Sequence, residues 1–113
     1  MSQTFVDLAK QALAVRDHYD ELQEVTGQKK WNAQDRMAGF VGDIGDLSKL
    51  IMAKYNLRSG PDDLDDAIAH ELSDCLWCVM VLADELGVDI EAAFTKNMAG
   101  LHEQIEEEKS EAA

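Results

Sequence analysis

Breaks in the chain are scarce. Proline occurs once, at Pro61, and glycine seven times in 113 residues, which favours long helices over a many-stranded sheet. Strict polar–apolar alternation never runs for more than a few residues, so half-buried strands have little support. Basic residues are few: ten Lys and Arg stand against 23 Asp and Glu, a formal net charge of −13. Binding a nucleic-acid polymer by phosphate neutralisation needs clustered cations and is excluded on that ground. The same acidity opposes attraction to anionic membranes. The longest apolar run, Cys75 to Ala83, is too short to span a bilayer. The opening "MSQTFVDLAKQALAV" carries neither a basic leader nor an uninterrupted apolar segment. With only two cysteines, the expected compartment is the reducing cytoplasm.

What is present is enough for one domain spanning residues 1–113. Hydrophobic residues make up 46% of the chain, and a chain of this length can bury a core. Phe5, Leu8, Ala12, Val15, Tyr19 and Leu22 recur in steps of three and four, the stripe of an amphipathic helix. "TGQKK" interrupts it. A second helix is expected to start after Trp31 with Asn32 as N-cap, its stripe being Met37, Phe40, Val41, Ile44, Leu47, Ile51 and Tyr55. Pro61 with Asp62, Asp63, Asp65 and Asp66 fits the first turn of a third helix, where carboxylates meet the positive end of the dipole. A calcium loop would need a glycine that this segment lacks.

The third helix carries Leu64, Ile68, Leu72, Cys75, Val79, Leu82 and Leu86, and from Cys75 onward Trp77, Met80 and Val81 make it apolar on nearly every side. Such a helix is expected to be buried all round. Gly87 and the cap residue Asp89 introduce a fourth helix through Ile90, Phe94, Leu101 and Ile105, followed from about residue 106 by an acidic tail expected to fray into solvent. The fold class is therefore all-α, about four helices per chain. So few helices cannot enclose one of their own, so a homo-oligomer is expected to complete the bundle, as a dimer or a dimer of dimers.

Two pairs of acids interrupt these apolar helices. Asp43 and Asp46 share a face of the second helix, and Glu71 and Asp74 share a face of the third, because residues three apart project to nearly the same side. Surface acids at the edge of a stripe would need no explanation, but both pairs have the same step and both lie in helix interiors. Four converging carboxylates would repel and raise their pKa values unless a cation lay among them. An all-oxygen donor set suits Mg²⁺, with Mn²⁺ as a substitute, and disfavours zinc. Mg²⁺ held between two helices would let so acidic a chain accept a polyphosphate.

At these residues the chain resembles the MazG-like all-α nucleoside triphosphate pyrophosphohydrolases. Their E-x-x-E and E-x-x-D motifs read here Asp43-Ile44-Gly45-Asp46 and Glu71-Leu72-Ser73-Asp74, and the likeness runs from Trp31 to Met98. The resemblance implies Mg²⁺-dependent hydrolysis of a (deoxy)nucleoside triphosphate to monophosphate and pyrophosphate, of the kind that removes non-standard or surplus nucleotides. It also implies metal ligation by the four acids and a dimeric or tetrameric assembly. Three departures stand out: Asp replaces Glu at both positions of the first motif, Gly42 stands where many relatives carry a further acid, and a basic segment is reduced to Lys96 and Asn97. They keep open an alternative of another class, a non-catalytic helical module that binds nucleotides or proteins.

Substrate contacts are expected from Lys96 and Asn97 to phosphate or sugar, from Lys54 to phosphate, and from Trp31 stacking on a base. A solvated lysine is the default for Lys54, and an N-terminal hydrophobic anchor the default for Trp31. Cys75 and Cys78 form C-x-x-C, but no second pair completes a zinc site and no βαβ setting makes it a redox motif, so buried thiols are expected. His70 precedes Glu71 without forming H-E-x-x-H.

Overall fold

The computed structural model of the chain describes residues 2–113. Four helices account for its regular structure: α1 Phe5–Val25, α2 Ala33–Lys54, α3 Leu64–Glu85 and α4 Ile90–Ala112, with no strand among the described residues. The all-α expectation is met. Thr4 and Asn32 each close a reciprocal capping box, with Asp7 and Asp35 as the partners three residues on. Asp89 accepts a hydrogen bond from the Ala92 amide at 3.1 Å and caps α4. Gly27 and Gly87 adopt positive φ directly after α1 and α3, where a side chain would be strained.

Two local expectations change. Pro61 precedes α3 rather than opening it, and only Asp65 and Asp66 occupy its first turn. Residues 106–112 do not fray: they continue α4, exposed throughout, with Lys109 paired to Glu106 at 3.1 Å. Glu, Lys and Ala are good helix formers, so a solvated face does not by itself end a helix.

α3 lies between α2 and α1. Its Cys78 and Glu85 meet α2, through Asp43 and Arg36. Its Trp77 donates to the Ala12 carbonyl of α1 at 2.9 Å, packs edge-on against Tyr19, and is followed by Asp84, which pairs with Arg16 at 2.7 Å. The buried core is small: Ala12, Cys78, Met80, Val81 and Ala83. Arg36 is buried with them, 4% exposed, and binds Glu85 at 2.6 Å and Asp20 at 3.2 Å, tying three helices together. α4 buries no residue; its start borders a shallow cavity formed with Phe5, Val6 and Met80.

The stripes expected to be buried are only partly so. On α1, Val15, Tyr19 and Leu22 are open to solvent, while Arg16, Asp20 and Gln23 turn inward. On α2, Met37, Val41, Ile44 and Ile51 face outward. Even α3 leaves Leu72 and Leu76 half exposed within the single chain. The accessible surface, 8620 Å² for 12.5 kDa, exceeds by about 2,400 Å² what a folded monomer of that mass exposes. The radius of gyration, 18.0 Å, likewise exceeds the ~13 Å of a compact chain of this length. No described helix is long and apolar enough to cross a membrane.

Candidate metal centre

Each acid pair sits near the middle of its helix, where α2 and α3 run side by side. Cys78, buried on α3, meets Asp43 of α2 at this level. Oxygens of Asp43, Asp46 and Glu71 lie within 4.8 Å of one another, spanning the two helices. A second triplet, His70, Glu71 and Asp74, meets the same limit, so Glu71 belongs to both. The four acids named from sequence are thus gathered around Glu71. Asp43, Glu71 and Asp74 are partly buried and Asp46 is exposed.

The electrostatics follow from that crowding. Burial, then the charges of Asp43, Asp74 and Asp46, hold the Glu71 carboxyl above its ordinary range. Its Oε2 atom is buried without a hydrogen-bond partner, a costly position for a carboxylate oxygen. His70 Nε2 lies 3.2 Å from an Asp74 carboxylate oxygen. Asp43 accepts from the Cys78 thiol, with Sγ 3.6 Å from Oδ2. Burial and the neighbouring Asp43 push the Cys78 thiol up to about 12, and burial also raises Cys75. Both cysteines are free and poorly suited to act as nucleophiles.

An orphaned buried oxygen within an all-oxygen donor set fits a hard divalent cation, which would satisfy Oε2 and offset the repulsion.

The remaining residues named from sequence divide. Trp31 is 44% exposed, and its ring covers Gly39, where an added Cβ would come within 3.2 Å of it. Gly39 lies one turn before Asp43 on the same face of α2, so the indole covers the turn next to the acids. Lys54 instead pairs with Asp65 at 2.6 Å, six residues or about 9 Å along α3 from Glu71. Lys96 and Asn97 lie on α4, and no hydrogen bond or ion pair joins them to the acids. A Cβ at Gly42 would meet nothing within 4 Å, so packing does not forbid an acid there.

Pattern reading placed Cys78 as a buried thiol without its contact to Asp43, and did not single out Arg36, which binds Asp20 and Glu85. An arginine in the first turn of a helix and a cysteine on an apolar face carry no sequence signal for contacts made across helices. No protein-family model, curated protein or solved structure matches the chain.

Proposed function

We propose that the chain is a Mg²⁺-dependent nucleoside triphosphate pyrophosphohydrolase of the MazG-like type. The observation that supports this reading is the convergence of Asp43 and Asp46 with Glu71 across two helices around an unpartnered buried oxygen. Asp43, Asp46, Glu71 and Asp74 are the residues that hold the ion, with Mn²⁺ able to replace it. When bound, the ion supplies charge neutralisation for phosphate oxygens and lowers the pKa of a coordinated water. A first-motif carboxylate orients the attacking water, and Trp31 offers a face to the base. Water adds to the α-phosphorus as the bond from that phosphorus to the pyrophosphate oxygen breaks, and the proton that water loses passes to solvent, giving the monophosphate and pyrophosphate.

In the same reading the protein is cytoplasmic and works as a dimer or a dimer of dimers. The surplus accessible area supports assembly: about 2,400 Å² per copy amounts to about 4,800 Å² in a pair, within the range of obligate homodimer interfaces. Lys96 and Asn97 make no hydrogen bond or ion pair with the acids of their own chain, so the reading assigns them a phosphate or sugar contact across such an assembly.

That no lysine or arginine pairs with the four acids, and only His70 stands beside Asp74, favours a second reading, a non-catalytic helical module. Pyrophosphate release from a panel of ribo- and deoxyribonucleoside triphosphates with Mg²⁺ separates the two. Turnover that disappears in both Glu71→Gln and Asp74→Asn, at unchanged helical content, is the expected result. No turnover across the panel by an intact assembly would leave the second reading.

A further inference from the structure

We propose that Cys78 is a positioning residue for the metal centre, its thiol donating to Asp43 Oδ2 so that the carboxylate is held in place before a cation arrives. The inference rests on the metal reading above. Cys78 is 4% exposed on α3, three residues from Val81, the one fully buried large side chain, so its Sγ has little freedom to move. Asp43 comes from the other helix, at 3.6 Å, a distance at which a thiol still donates to a carboxylate. Among the described residues this is the one hydrogen bond that reaches any of the four acids from another helix.

The chemistry gives that contact a purpose. A carboxylate turns freely about its last bond unless one oxygen is held, and ordering it on ion binding costs rotamer entropy. Holding Oδ2 fixes the plane and leaves Oδ1 as a free acceptor. The arrangement also registers α2 against α3 at the level of the acids, because donor and acceptor sit on different helices. Outer contacts of this kind tune metal affinity by about 10–100-fold in other metal sites. A thiol suits an apolar seam better than a hydroxyl, since it packs as a small hydrophobe and still carries a proton.

Two substitutions separate donation from packing. Cys78→Ser keeps a donor and loses volume; Cys78→Val loses the donor and adds the volume of about one methyl group. The probe is Mn²⁺, titrated calorimetrically and by the electron paramagnetic resonance signal of the free ion. Expected is a rise in Kd of about tenfold for Cys78→Val and at most about threefold for Cys78→Ser. A metal-free readout stands beside it: the S–H stretching band of Cys78, isolated by subtracting the Cys78→Val infrared spectrum, moves to higher frequency in Asp43→Ala. Wild-type affinity in Cys78→Val, or a band indifferent to Asp43→Ala, overturns the proposal while the metal reading stands. A wild-type protein that takes up no Mn²⁺ overturns both.

Discussion

Glu71→Gln should have opposite effects with and without metal. The substitution keeps size and shape and removes one negative charge from a cluster whose oxygens are at most 4.8 Å apart. Two unit charges at that separation repel by about 0.9 kcal/mol in the dielectric of water and about 3.5 kcal/mol at an effective dielectric of 20. Exposed Asp46 draws its share toward the lower value, and 0.1 M salt screens little at a distance well inside the ~10 Å Debye length. In chelator the variant should therefore be more stable than wild type by about 1–2 kcal/mol, or about 4–8 °C in Tm. Saturating Mg²⁺ should reverse the order, because wild type gains about 2.7 kcal/mol at one hundred times Kd and the variant loses that gain. The pH dependence has a definite sign. Glu71 is raised in the fold, so between the ordinary glutamate range and its folded value the native chain holds the extra proton, and stability falls as pH rises through that window. Metal-free wild type should thus gain on the variant's lead as pH is lowered through that window. Thermal and urea unfolding at one protein concentration, in chelator across a pH series and in Mg²⁺, measure all three effects. A less stable variant in chelator, or equal stabilisation of both proteins by Mg²⁺, would refute the reasoning.

Two further outcomes test the scaffold. Arg36→Met removes a buried cation from Asp20 and Glu85, whose side chains keep 17% and 20% exposure, and Asp20 retains Lys30 at 3.7 Å. The expected loss is about 3 kcal/mol in urea unfolding, the low end for a broken buried pair, and a loss below about 1 kcal/mol would mean that the triad contributes little. Sedimentation should find an assembly of two or more chains, and glutamates introduced together at Val15 and Leu22 should dissociate or weaken it, since each apolar side chain contributes about 1.5–3 kcal/mol when buried. A wild-type chain sedimenting at 12.5 kDa would remove the oligomer from the proposal.

The caps at Asn32 and Asp89, the breaks at Gly27 and Gly87 and the four helices were legible because each depends on neighbours within a few residues. The pairing of Asp43 with Asp46, and of Glu71 with Asp74, was legible for the same reason: a helix turns by a fixed angle per residue. That the two pairs face each other depended on how α2 and α3 pack, and the structure supplied it. Tertiary packing also decided which side of each helix is inward, and here periodicity misled. Val15, Tyr19 and Leu22 form a well-spaced stripe, yet Arg16, Asp20 and Gln23 take the inner position. A stripe states that a face avoids water without stating what covers it. Arg36, bound across three helices, and Cys78, donating to a carboxylate 35 residues away, left no local trace, because the partner that defines each role is distant in sequence and near only in the folded chain.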